Sequence, residues 1–450
     1  VSNLGEKGID TKMVENISIE YTDRSVSAWG GMRLMKELMD KTGIREKLHI
    51  LSLPQPGSNH GYSPVQILES FWVSVWTGAS RFTHSGWLRY DKVLGEIFQW
   101  KRIPSQSTYS RFFHKFNWKR NTEVFVDLHK WFFNQLTLKS ITLDIDSSVV
   151  TRYGEQEGSR RGFNPTKPGR PSHNPLMAFI PETRMVANAW LRPGNSASAS
   201  GMQKFLDETF EILQGKKIGL VRADSGFYGD NYLNYFENKQ LHYIVSVKLH
   251  KPLKLELVNQ KNWIEVAEGI QVSEFQYKAH GWKTSRRMIT VRQEITRRPK
   301  ATGKMLFTNE ELGARYRYSC FVTNLDLSAM QIWVLYRQRA DAENRIKELK
   351  YDFALDSFCL NKFWATEAAF RSIIMAYNLM SLFRYTVLQT KTQTTLNTLR
   401  FNCFALGSWI SRHAGKKVLK LSVSGTKRQW LDGLFSKVGA LDPPFQFSNA

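Results

Sequence analysis

The chain has 450 residues, 42% hydrophobic and 13% aromatic, with a formal net charge of +23; it is long enough for two or three compact units and too apolar for a disordered protein. Its three cysteines, Cys320, Cys359 and Cys403, are far apart, which argues against a disulfide framework or structural zinc and fits a reducing compartment; nor is there an apolar run of about 18 residues to span a membrane. The charge calls for a polyanionic partner, and nucleic acid is the first class to test.

Residues 1–80 hold eight Lys/Arg against nine Asp/Glu, whereas residues 81–140 hold eleven against four. Residues 1–138 read as a helical DNA-binding region. Within it Pro64–Ser80 is strongly apolar and carries Trp72 and Trp76, the pattern of a buried helix. A helix over Tyr90–Gln99 precedes Ile103-Pro104-Ser105, and a Ser/Thr start leads into Tyr109–Phe116. Two readings stay open. Either this is a helix-turn-helix offering Arg111 and Lys115 to DNA, or Phe112, Phe113 and Phe116 are core residues of a helical bundle.

At Ser140 the pattern changes. Ile141–Asp146 reads as a strand, followed by a Gly/Pro/Arg-rich segment, Arg152–Pro175, that includes Arg170. Strands at Leu176–Ile180 and Met185–Leu191, a helix at Ser200–Gln214, a strand at Lys217–Ala223, a helix at Asn231–Lys239 and a strand at Tyr243–Val247 complete an α/β order with a mixed sheet over 139–249. Residues 250–322 alternate apolar and polar and read as a β-rich insertion. Its stretch 278–304 carries nine Lys/Arg against the single Glu294, which assigns Lys283, Arg286, Arg287, Arg297 and Arg298 to DNA phosphates. Residues 323–390 return to helix, and 391–450, with nine Lys/Arg against two Asp/Glu, read as a basic helical tail.

Cutting a phosphodiester needs a neutralised phosphate, an activated water and a stabilised leaving oxygen, which carboxylates can arrange by holding divalent cations. Asp146 lies in an apolar strand, where a charge is costly unless paired or bound to metal, and Asp224 ends a second one. Asp144 shares the strand face of Asp146 and stays open as an extra ligand. Taking Tyr336–Lys350 as one continuous helix puts Tyr336, Arg339, Glu343 and Lys350 within a sector of roughly 60°. Beside it run Leu335, Ala342, Ile346, Leu349 and Phe353 as an apolar stripe.

The spacing Tyr336-x2-Arg339-x3-Glu343-x6-Lys350 resembles the Y-R-E-K signature of bacterial insertion-sequence DDE transposases. Asp144-Ile145-Asp146-Ser147-Ser148 resembles the first motif of one branch, and Gly162-Phe163-Asn164-Pro165, Gly169-Arg170-Pro171-Ser172, Arg192-Pro193-Gly194-Asn195 and Arg222-Ala223-Asp224-Ser225-Gly226-Phe227 follow in order. The resemblance implies an RNase H-like α/β core interrupted by the β-rich insertion. It also implies catalytic and metal-binding roles for Asp146, Asp224 and Glu343, the serine pair favouring Asp146 over Asp144. Mg2+ would be the cofactor, with Mn2+ able to substitute, and Tyr336, Arg339 and Lys350 would contact DNA. The expected partner is double-stranded DNA, bound by a homodimer in the bacterial cytoplasm at the nucleoid. Where such enzymes form hairpins an aromatic of the insertion can stack on a flipped base; Trp282, Tyr316 and Tyr318 are the candidates. Two rivals remain: a catalytically inactive DNA-binding regulator, and an RNase H-like nuclease without strand transfer.

Overall fold

A computed structural model describes residue 17 and residues 19–306, 315–390, 392 and 394–447. Helices dominate the first part, from Met32 to Asn134. Pro64–Trp76 is buried on nearly every side, as an all-round apolar helix must be, and Pro64 sits where its missing N–H leaves no bond unmade. The Trp72 and Trp76 indoles donate to Ser372 Oγ (2.9 Å) and to the Ala376 carbonyl (3.1 Å), both on the long Phe363–Phe383 helix. No described helix is long and apolar enough to cross a membrane.

The region read as a helix-turn-helix or a bundle has helices at Lys92–Ile97 and Gln106–Phe113. Phe112, Phe113 and Phe116 are all buried, with Phe113 edge-on to Phe71 at 5.1 Å. These aromatics are core, whereas Arg111 and Lys115 are exposed, the Lys115 ammonium donating to the Gln55 carbonyl (2.6 Å).

A nine-stranded mixed sheet forms the centre. In chain order its strands are β1 (Ser140–Ser147), β2 (Leu176–Ile180), β3 (Met185–Trp190), β4 (Lys217–Ala223), β5 (Tyr243–Ser246), β6 (Ile264–Ala267), β7 (Ile270–Tyr277), β8 (Arg286–Glu294) and β9 (Tyr316–Thr323). They lie in the order β6-β7-β8-β9-β5-β4-β1-β2-β3. β1 pairs antiparallel with β2 and parallel with β4, and β4 runs parallel to β5. Residues 250–322 are β-rich, but they extend the central sheet: β9 pairs antiparallel with β5 through Phe321 opposite Ser246. They also contain a helix, Lys251–Asn259.

Residues 391–450 depart from the helical expectation. Helix Gly425–Gly439 is present, but strands β10 (Ser408–His413) and β11 (Lys416–Leu421) form a hairpin before it. Its two-residue turn, Ala414-Gly415, has positive φ at both positions (48° and 76°), the twist that closes a tight hairpin. Ser27 and Ser408 exchange backbone hydrogen bonds of 2.8 Å in both directions, and the Met32–Thr42 helix packs on Gly425–Gly439. One continuous buried cluster runs from the early helices through the sheet to this tail.

Candidate active site

In the register of β1 and β4, Ile145 lies opposite Ala223. Asp146 and Asp224, one residue further on, therefore leave two adjacent parallel strands at their carboxyl ends, where strand spacing is about 4.8 Å. Asp146 is only 8% exposed. Its Oδ1 accepts the Ser147 N–H (2.8 Å) and its Oδ2 faces Arg339 Nη2 (3.1 Å). Burial pushes the Asp146 carboxyl up to about 6; Arg339 pulls it down, while Asp224 and Glu343 push it further up. Asp224 is half-buried and caps the turn Ser225–Phe227 by accepting the Gly226 N–H at 2.9 Å.

The stretch read as one continuous helix is two. Ala329–Arg337 opens on a capping box from Ser328 and Gln331, and Ala340–Tyr351 follows after a turn at Gln338-Arg339. Arg339 sits in the turn, where its guanidinium reaches back to Asp146 and to the Ile145 carbonyl (3.1 Å). Burial opposes its charge, yet Asp146 and its acidic neighbours hold the guanidinium more firmly protonated than usual. Tyr336 packs on Phe321 with ring centroids 4.5 Å apart, and burial raises its hydroxyl. Ala342, Ile346, Leu349 and Phe353 are buried as the apolar stripe requires. Glu343 is exposed at the mouth.

Tyr336, Arg339 and Glu343 line one groove of about 870 Å³ with Ser225, Arg297 and Arg298. Lys350 does not line it. Two turns further along, its ammonium donates to the Val149 carbonyl (2.9 Å), and burial lowers its pKa. Arg111 and Lys115 line a separate groove of about 350 Å³ with Arg102; Arg170 is exposed near Tyr153, and Lys283 is exposed outside the first groove.

Several expectations need correcting. Arg286 is buried and held by Asp230 and Glu237 at 2.7 Å each, so it offers nothing to a phosphate. Arg287 is tied to Glu274 and to the Leu325 carbonyl. Trp282 is buried under Arg286, 4.7 Å from its guanidinium, which leaves Tyr316 and Tyr318 as the part-exposed aromatics; Tyr318 lines the groove. Asp144 has both oxygens taken by Arg222 (2.6 and 2.8 Å) and is no free ligand. The sequence reading missed Arg222 itself, which also donates to the Leu335 carbonyl and so pins the Tyr336 helix to the sheet. It missed Lys300, Lys304 and Arg337 in the groove as well; only the basic run 278–304 hinted at the two lysines.

The glycines of two motifs meet. A Cβ on Gly162 would lie 2.0 Å from the Gly194 carbonyl oxygen, and one on Gly194 would lie 2.0 Å from that of Ser172. These close approaches fold the Gly-rich segment back beside the carboxyl end of β1.

Among the described residues, no group of three or more His, Cys, Asp or Glu is gathered closely enough to hold a metal ion. In kind, however, the donors fit a hard divalent cation. Asp224 and Glu343 both oppose the ionisation of Asp146, and the cation set against Asp146 is Arg339, whose buried Nε has no protein partner.

A family model described as Transposase DDE domain group 1 matches residues 10–443. No curated protein matches the chain. Among solved structures, the cryo-EM structure of a piggyBac transposase synaptic complex with hairpin DNA is similar at a TM-score of 0.46 and 14% identity, over 83% of this chain and 78% of that one. The family match runs through nearly the whole length, both aspartates and the glutamate included, and on it the chain belongs to the group 1 family of DDE transposase domains.

Proposed function

We propose that this transposase binds the ends of a bacterial insertion sequence as a homodimer and cuts and joins DNA strands with Asp146, Asp224 and Glu343. The core would be RNase H-like and the branch that of the Y-R-E-K signature. The observation that carries the reading is the placement of Asp146 and Asp224 at the carboxyl ends of adjacent strands, with Arg339 paired to Asp146 beside a basic groove that Glu343 lines. Asp146, Asp224 and Glu343 would hold Mg2+, or Mn2+ in its place, which when bound supplies phosphate neutralisation, water activation and leaving-oxygen stabilisation. Arg339 fixes the Asp146 carboxylate through a short ion pair. Arg298 lines the way in and neutralises backbone phosphates, whereas Arg297 is tied to Glu294 (3.2 Å) and Glu265 (3.5 Å). Tyr318 is the favoured platform for a flipped base, being part-exposed in the same groove. The reaction needs no protein nucleophile: water attacks the phosphate and the 3′-oxygen leaves as a hydroxyl, and that 3′-hydroxyl attacks a second phosphodiester, whose own 3′-oxygen leaves in turn. The site of action would be the cytoplasm, at the nucleoid.

The test is incubation of purified protein with end-containing duplex and Mg2+, separating nicks, hairpins and joined products. Wild type is expected to give joined products, and Glu343→Gln to bind the ends within about threefold of wild type while losing cleavage by about a hundredfold or more. Nicking without joining would support a nuclease, and binding without any cleavage by wild type would reduce the protein to a regulator.

A further inference from the structure

A third groove, of about 580 Å³, opens between the Ala340–Tyr351 helix and the segment that follows β1. Lys350 lines it, about 10 Å along the helix axis from Glu343. Arg81, Arg152 and Lys167 line it too. The side-chain bonds of three of these cations go to neutral groups: Lys350 to the Val149 carbonyl, Arg152 to the Asp356 carbonyl and His173, Lys167 to the Tyr153 hydroxyl. Carbonyls and a phenol satisfy hydrogen-bond geometry without cancelling charge. Among the described residues none of the four has a carboxylate within salt-bridge distance, and Asp356 is the one acidic residue in the lining.

Two large aromatics share this groove, Tyr153 at 70% and Tyr351 at 79% exposure. One exposed ring needs no explanation. Here two rings stand among four cations, with Lys167 Nζ 4.9 Å from the Tyr153 ring and Arg170 6.0 Å from it. Phe163, 81% exposed, belongs to the same segment, which Asn164 anchors to Thr151 at the groove (3.1 Å). Cations alone would serve a duplex, whose bases are already stacked on one another; open aromatic faces beside cations serve bases that are not.

We propose that this groove binds an unpaired DNA strand, using Tyr153 and Tyr351 as stacking faces and Arg81, Lys167 and Lys350 for its phosphates. Its place as the exit for a strand leaving the carboxylates rests on the function proposed above; the preference for unpaired DNA does not.

The experiment measures binding of the full chain, without divalent metal, to a labelled blunt duplex and to the same duplex bearing an oligothymidine overhang. Wild type binds the overhang form more tightly. Tyr153→Ala and Tyr351→Ala each weaken that form about tenfold and the blunt form less than about twofold, whereas Tyr153→Phe and Tyr351→Phe, which keep the rings, restore it. Equal loss on both DNAs, or no overhang preference in wild type, overturns the groove assignment. An overhang preference without any Mg2+-dependent cleavage by wild type sinks the proposed catalysis and leaves the groove standing.

Discussion

Asp146 carries the sharpest chemical consequence. Burial pushes its carboxyl from an ordinary 3.8 up to about 6, so in metal-free protein its ionisation is expected to cost about 3 kcal/mol of stability above pH 6, a cost absent below pH 4. A divalent cation can be held only by the ionised form. Mg2+ is therefore expected to raise Tm at pH 8 and scarcely at pH 5, with a midpoint near 6, and Asp146→Asn should abolish the rise. A Mg2+ effect independent of pH over this range would contradict the assignment. The neighbouring Asp144–Arg222 pair, 1–2% exposed, answers a different test. Arg222→Met strands a buried charge and should cost about 3–5 kcal/mol, while Asp144→Leu with Arg222→Met should recover most of it, as read by denaturant unfolding. The sequence could not tell these two aspartates apart by alternation, because both face the same side of β1. What separates them is Arg222 on the adjacent strand, a tertiary partner that no local spacing announces.

At the scale of elements, legibility followed local signals. β-branched runs ending in aspartate announced β1 and β4, and the strands of 250–322 were visible in their alternation. The break between the Tyr336 and Glu343 helices was not, since Arg339 keeps helical backbone angles and no Gly or Pro marks the turn. The β10–β11 hairpin was missed because it turns on Ala414-Gly415, not on the Asn-Gly or Asp-Gly pair that signals such turns. Arg286 read as a surface cation because its carboxylate partners, Asp230 and Glu237, come from another element. The motif glycines, noted only as part of a pattern, prove to be packing constraints. Gly194→Ala must displace the backbone of Ser172 and Arg160, and should lower Tm and cleavage together at a cost of about 1–3 kcal/mol. Unchanged stability would mean the segment yields easily.

At the scale of the whole molecule the net charge of +23 becomes a measurable slope. Replacing Arg298, Lys300 and Lys304 of the first groove by alanine should flatten the dependence of log affinity on log salt by about 2–3 units if all three meet phosphates; an unchanged slope would remove the groove from the duplex path. The early helices share their core with the sheet through Trp72, Trp76 and the Phe363–Phe383 helix. A fragment 139–390, assigned from sequence to core and insertion, is thus expected to aggregate when expressed alone, as solubility and light scattering would report.

The backbone exchange between Ser27 and Ser408 reaches into synthesis as well as stability. Contacts that join such distant positions cannot form until the ribosome has delivered the later one, so the segment around Ser27 waits, unpaired, for Ser408. A transcript cut short near residue 390 would yield a product with an uncovered Met32–Thr42 helix.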